Sequence, residues 1–382
     1  MAHSPGWRAV ASALAAAALL AACGGGDSSP TTTRIVSFGD SLSDLGSYTP
    51  ATSLTATPGA APYFGGKFTT NTFSDYALPA AGTARAPNTS TATTWVEWVA
   101  ARVGVSITPH QVGFGPQSVI CPAATSVPAL AGSCTGYGQG GSRVTDPNGI
   151  NKAAGALTVP IVTQVANHLT RFSNFQSTDI VFMLAGANDL LIQFGAAGQG
   201  LPPATAIANM QTAGTQLAAI VKDQIVAKGA TRVAVMTLPN IAPFPAFNQL
   251  PAANTALLAQ LATAFNTAVA AGLVGVDVRY IDNQIFFSDI VANPAKYGFT
   301  NITTAACDPA KISVVTRGLV TDGSALFCNA SAGVPFNGLK AGASASTWLF
   351  ADGVHPTTGT HKVWADYVIA QLKEFGWIPI NQ

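Results

Sequence analysis

Charge is scarce in this sequence. Of 382 residues only 18 are Lys or Arg and 17 are Asp or Glu, so 9% of the chain is charged and the net charge is +1; globular proteins usually carry about a quarter. No stretch gathers the basic residues, and a nucleic-acid backbone therefore has no electrostatic footprint here. Histidine is also rare, with five in all, which narrows the choice of any catalytic base. Cysteines never stand as C-x-x-C and no paired-histidine spacing accompanies them, which argues against a zinc site. The G-x-S-x-G elbow of one large serine-hydrolase fold is missing, and no internal repeat is visible. What remains is a chain that is 48% hydrophobic, ample for a sizeable core. Its long neutral stretches, rich in Ala, Thr, Gly and Asn, suit an exported protein.

The amino terminus points the same way. Arg8 precedes the apolar run "VASALAAAALL" (10–20), which has signal-peptide length and is short for a bilayer span. No later run is long and apolar enough to cross a membrane. Leu20-Ala21-Ala22-Cys23 resembles a bacterial lipobox, which implies lipid on Cys23 and a signal peptide over 1–22. The Gly/Ser/Pro/Thr stretch "GGGDSSPTTT" completes an expected flexible tether over 23–33, ahead of one domain over 34–382. Gly24, rather than Asp, follows the cysteine, so the expected location is the cell envelope, as an outer-membrane lipoprotein. Ordinary cleavage and secretion is the plainer alternative. Four cysteines remain, an even number in an oxidising compartment. Three pairings are possible; the expected one is sequence-local, Cys121 with Cys134 and Cys307 with Cys328, both away from the chemistry.

From residue 160 onward helical and strand-like segments alternate. "VPIVTQVANHLTRF" (159–172) has helical apolar spacing, and "TDIVFMLAG" (178–186) is a continuous apolar run, as for a strand covered on both faces. A helix is predicted over 203–229, closed by Gly229, then a strand over 231–239, a helix over 254–273, a strand over 277–283 and a last helix over 359–376. This rhythm predicts an α/β fold, a mostly parallel sheet sandwiched between helices, with ligands at the carboxyl ends of its strands. Residues 48–94, 104–150 and 284–350 lack periodicity and read as insertions around a site, or as exposed padding.

One strand end stands out. In "RIVSFGDSLSDLGSY" (34–48) the apolar run stops at Gly39-Asp40-Ser41, which is either a plain turn or an exposed nucleophile. A nucleophilic serine needs a base, and the base needs an orienting group. His110, His168 and His361 lack a nearby upstream acid. His355 lies three residues after Asp352 in "FADGVHPTTG", so Asp352 is placed to accept the Nδ1 hydrogen and leave Nε2 for Ser41; an Asx turn bearing a surface histidine is the bland alternative. Donors for an oxyanion are offered by the glycines of "YGQGGSRV" (137–144) and by Asn188 in "LAGANDLL" (184–191), expected just past a strand end.

In this order the four stretches resemble the blocks of the GDSL family of the SGNH hydrolase superfamily. The resemblance implies a flavodoxin-like three-layer α/β/α sandwich. It assigns Ser41, Asp352 and His355 as the triad, and the Ser41 N–H, Gly141 and Asn188 as the oxyanion hole, with Gly140 the one-residue alternative to Gly141. Asp40, Asp44 and Asp189 are left to structural work. Similarity extends to "GGKFTTN" (65–71), "TTWVEWVA" (93–100), "TLPNIAPFP" (237–245) and "NPAKYGFTNIT" (293–303). Gly136 departs from the pattern, standing where the family's third block usually begins with Asn. The implied activity is that of a serine esterase or lipase working through an acyl-enzyme on an ester or lipid substrate, with no metal and no cofactor. Polysaccharide O-acetyl esterase and phospholipase or acyltransferase are the enzymatic alternatives. A surface-binding lipoprotein without catalysis is the alternative of another class.

Overall fold

The computed structural model describes residues 31–49, 66–72, 90–331 and 337–380. The expected signal peptide, Cys23 and most of the expected tether lie outside these residues. The end of that tether already bonds to the body: the Thr33 N–H donates to the Thr178 carbonyl, and Arg232 donates to the Thr32 hydroxyl.

In chain order the strands are β1 (Arg34–Gly39), β2 (Gln111–Phe114), β3 (Gln117–Ile120), β4 (Asp179–Leu184), β5 (Val233–Met236), β6 (Arg279–Ile281), β7 (Asn301–Ala305) and β8 (Trp348–Phe350). The central sheet is parallel throughout, in the order β1-β4-β5-β6. Its two middle strands are buried along their whole length, which is why they read as unbroken apolar runs. Helices α1 (Trp95–Val103), α2 (Ile161–Phe172), α3 (Ala187–Gly198), α4 (Pro203–Ile220), α5 (Ala252–Gly272), α6 (Asn283–Ala292), α7 (Pro309–Val315) and α8 (Thr358–Glu374) follow in chain order. Helices α1 and α8 pack together, with Trp95 tilted on Trp364 and edge-on to Phe182 of β4. A second group runs from α2 through α4 to α5, and Gly214 lets α4 approach so closely that a Cβ there would lie 2.5 Å from the Phe265 carbonyl. Among the described residues no helix is long and apolar enough to cross a membrane.

The stretches without periodicity hold more order than their composition suggests. β2 and β3 form an antiparallel hairpin, and residues 135–139 run alongside the free edge of β1. There the Ser37 N–H donates to Thr135, the Tyr137 N–H to Ser37 and the Gln139 N–H to Gly39. Gly136 fits this edge because any Cβ would meet Leu45 at 2.3 Å, so glycine is what the crowded position admits. Helix α6 lies in a segment read as loop. Asp282 caps it by accepting from the Gln284 and Ile285 N–H groups. The helix expected over 203–229 is continuous in path, but its last turns widen into a π-turn over Val221–Ile225 before Gly229 closes it at φ 99°.

Both disulfides pair as expected, Cys121–Cys134 and Cys307–Cys328. The histidines without an acid partner are buried in the body. His168 stacks on Phe175 and meets the Tyr137 hydroxyl, while His361 Nδ1 accepts the Trp95 N–H at the start of α1. Burial lowers the pKa of His168 and His361 to about 3 and that of His110 to about 4. These rings stay neutral while the unfolded chain protonates its own near 6.5, so the stability they contribute is whole above 6.5 and declines as pH falls through the folded values. His168→Phe keeps a ring but cannot titrate. Its urea midpoint should therefore fall less steeply than the wild type's between pH 6.5 and pH 4; parallel declines would show that His168 is not among the groups responsible.

Candidate active site

The register of the sheet brings the chemistry to one edge. Gly39 pairs with Leu184 across β1 and β4, and the Gln139 N–H reaches Gly39 from the other side. Ser41 and Gly141 each lie two residues beyond that rung, and Asn188 lies four beyond it on the third chain. The chain leaves β1 through a short 3₁₀ turn, Ser41–Ser43, which Asp40 caps by accepting the Leu42 N–H. The turn expected from composition and the half-buried Ser41 are thus the same feature.

His355 Nε2 lies 2.9 Å from Ser41 Oγ. On the other side of the ring, Nδ1 is 2.9 and 2.8 Å from the two oxygens of Asp352. Asp352 is buried and accepts three backbone N–H groups besides, from Val354, His355 and Ala325. An Asx-type turn does form over Asp352–His355, but its histidine is packed rather than exposed: the Phe68 ring lies 4.9 Å from the imidazole. Burial works against charge on both partners, and their mutual attraction outweighs it. His355 is held above its ordinary pKa and Asp352 below its own.

The glycine loop is fastened from beneath. The Asp44 carboxylate accepts the Gly46 and Ser47 N–H groups, the Ser47 hydroxyl and, across the cleft, the Gly140 N–H at 2.9 Å. Gly140 is therefore engaged, whereas the Gly141 N–H has no partner among the described residues. Asn188 lies just past the end of β4, as expected, in the first turn of α3. Gly186 at φ 104° turns the chain directly from β4 into that helix. One Asn188 amide hydrogen goes to the Ser142 carbonyl at 2.8 Å. Asp189, next along, accepts from Arg143 and from the Val144 N–H. Burial raises the pKa of Asp44 and Asp189, and pushes Asp40 to about 6.

The six residues expected here, Ser41, Gly141, Asn188, Asp352, His355 and the alternative Gly140, are gathered by the fold. Cys23 falls outside the described residues. Sequence reasoning missed Phe68, Tyr48, whose hydroxyl donates to the Gly140 carbonyl, and Ala325. Phe68 lay in a stretch noted only as similar, and a backbone N–H such as that of Ala325 leaves no mark in a sequence.

The fold is an α/β/α sandwich, and Ser41, His355 and Asp352 meet at the carboxyl edge of its parallel sheet. The chain belongs to the GDSL-like lipase/acylhydrolase family, whose model matches residues 35–368. No curated protein matches it. Similar solved structures include an extracellular lipase from Streptomyces rimosus, at 14% identity, 89% of this chain, 99% of that one and a TM-score of 0.40. An aryl esterase from M. smegmatis is similar at 15% identity, 90% and 99% coverage and a TM-score of 0.36. A carbohydrate acetylesterase from Sinorhizobium meliloti is similar at 14% identity, 89% and 100% coverage and a TM-score of 0.33.

Gly141 adopts φ 81°, and a Cβ there would lie 2.3 Å from the Ile150 carbonyl. Both the dihedral and the clash oppose a side chain. Gly141→Ala should cost about 2–3 kcal/mol of stability, read as a lower urea midpoint at unchanged m-value. An unchanged midpoint would mean that the loop relaxes freely around the methyl group.

Proposed function

We propose that this protein is a carboxylic ester hydrolase acting through a covalent acyl-enzyme on Ser41. The observation that carries the reading is the continuous path of hydrogen bonds from Asp352 through His355 to Ser41 Oγ. In the scheme, His355 Nε2 takes the Ser41 proton as Oγ attacks the ester carbonyl. The oxyanion is met by the Ser41 and Gly141 N–H groups and by the second amide hydrogen of Asn188. Collapse of the tetrahedral intermediate breaks the bond to the alcohol, which leaves with the proton from His355. Water then gives a proton to the same nitrogen, attacks the acyl group and releases the acid and Ser41. Every step uses the chain's own groups. Any ester whose acyl group reaches Ser41 fits the scheme, so short-chain esters, lipids and O-acetylated sugars belong in one panel, with alcohols added to detect acyl transfer.

A fluorophosphonate probe followed by peptide mapping tests the reading: covalent label on Ser41 is expected. Label on another residue would name a different nucleophile, and none on the folded protein would instead favour a surface-binding protein without catalysis.

The base must be neutral to act, so activity is expected to be lost as pH falls through a value above the ordinary 6.5 of histidine, because Asp352 holds the proton on His355. Asp352→Asn should move that acidic limb of the kcat/KM profile to lower pH and reduce the plateau; His355→Ala should reduce it further. A limb that stays in place in Asp352→Asn would identify another group as its origin.

Asn188→Ala removes an amide with two partners in this scheme. We expect kcat to fall roughly 100- to 1,000-fold with KM nearly unchanged. A loss of about 1 kcal/mol of stability should accompany it, from the Ser142 bond. Loss of stability with near-normal kcat would remove Asn188 from the chemistry.

The amino-terminal reading completes the proposal, in which lipid on Cys23 holds the catalytic domain at the cell envelope. Labelling with a fatty-acid analogue should mark the wild type and spare Cys23→Ser; equal labelling of both would refute it.

A further inference from the structure

The Cys307–Cys328 disulfide is not remote from the site, although the sequence suggested that both bridges would be. The Ala325 N–H, 2.7 Å from Asp352 Oδ2, is among the described residues the one donor to that carboxylate from outside its own turn. Ala325 opens a short 3₁₀ turn, Ala325–Phe327, that leads directly into Cys328. Cys307 belongs to a segment following β7 that pairs with the chain carrying Asp352: the Ala306 N–H donates to Phe350 and the Cys307 N–H to Ala351. Ala306, Cys307, Ala325, Cys328 and Ala351 share one small core, separate from the main one. The disulfide thus bridges the piece that donates to Asp352 and the piece that fixes the Asp352 backbone.

Asn71 closes the same assembly from the other side. Its side-chain amide lies 2.9 Å from the Ala325 carbonyl and is also within reach of the Lys67 and Thr69 carbonyls. Its backbone N–H donates to Cys328, and its carbonyl accepts from Ala330. The Gly66 N–H adds a bond to the Leu326 carbonyl. The Asn71 side chain also shapes the 67–71 turn that carries Phe68 onto the His355 ring. Ala325 is therefore gripped on both sides, by Asn71 at its carbonyl and by Asp352 at its N–H.

We propose that Asn71 and the Cys307–Cys328 disulfide are positioning residues: they hold the Ala325 N–H on Asp352 and so set the orientation and basicity of His355. This rests on the serine-hydrolase reading above. The charged and titratable groups around His355 are Asp352, Asp40 and Asp44, with His361 and Lys67 behind. None of these ionisable side chains is itself replaced in the clamp variants, although Asn71 also bonds to the Lys67 backbone. A carboxylate that loses a donor is more basic and holds the His355 proton more firmly, so the acidic limb should move to higher pH, opposite to the effect of Asp352→Asn.

The test compares fluorophosphonate inactivation rates of Ser41, over pH, in Cys307→Ala/Cys328→Ala, in Asn71→Ala and in Cys121→Ala/Cys134→Ala. The last pair removes the disulfide that lies outside the small core around Ala325. We expect about tenfold slower inactivation in the first two, as for loss of a hydrogen bond to a charged group, with their acidic limbs shifted upward. The Cys121/Cys134 variant should have a lowered Tm but a rate within about twofold of wild type. Equal slowing in both disulfide variants, or an unchanged rate and limb in Asn71→Ala, would overturn the proposal. If the Cys307/Cys328 variant does not fold, the rate and limb of Asn71→Ala decide between the two outcomes by themselves. A wild-type protein that fails to react at Ser41 sinks the hydrolase reading instead, so the two failures are distinguishable.

Discussion

A carboxylate removed from water has to be given donors, and in this charge-poor chain that requirement organises the site. Desolvation of an unpaired carboxylate costs several kcal/mol, so each buried one binds nearby loops into a fixed geometry. Asp44 accepts four donors and draws the Gly140 peptide toward the Ser41 turn. Asp189 joins the first turn of α3 to the far end of the glycine loop through Arg143 and the Val144 N–H. Asp352 collects its own turn, the imidazole and the Ala325 peptide. Asp40 has one oxygen without a hydrogen-bond partner, and burial pushes its pKa to about 6; burial raises Asp44 and Asp189 as well, in spite of their donors. Neutral groups could not draw three separate segments together with comparable specificity, because a backbone N–H gains far less from a neutral acceptor than from an ionised one.

The catalytic candidates were legible because their constraints are local and chemical. A serine that ends an apolar run, and an acid and histidine three apart, carry information in their own identity and spacing. The parallel sheet was legible for a similar reason, since strands covered on both faces cannot hide their apolar continuity. Other parts were not legible. Helix α3 begins within two residues of β4 because Gly186 takes a positive φ, and a glycine between a strand and Asn-Asp reads equally well as a loop. Residues 135–139 lie along the edge of β1 mainly through backbone bonds, to which the Thr135 hydroxyl adds one on the Ile35 carbonyl, so their composition says little of it. The Ala325 N–H is the extreme case: its contribution depends on where the peptide is held, and alanine is silent about that.

The same contrast separates the histidines. Five residues of one type are chemically equal in a sequence, and environment divides them. His168 and His361 lie among aromatic rings with no carboxylate beside them, and burial, helped by nearby positive groups, sets their pKa well below the ordinary value. His355 is buried too, yet its pKa moves the other way, because Asp352 faces Nδ1 at hydrogen-bond distance. The acid three residues upstream was the sequence signal for that difference, and the turn over Asp352–His355 is what gives the spacing its effect.

Asn188 shows why structural and chemical roles are poor alternatives at such a site. Its amide has two hydrogens. One is fixed on the Ser142 carbonyl, and the carbonyl belongs to the residue directly after Gly141. That bond holds the side chain in one rotamer and ties its helix to the glycine loop. The bond therefore sets where the second hydrogen points and, through the loop, constrains the Gly141 N–H as well. An oxyanion donor is useful only if it is already aimed when charge develops, since reorientation during the reaction would cost part of what the hydrogen bond supplies. In the proposed mechanism the structural bond is thus the means by which the chemical one is made ready, and both roles fall to one side chain.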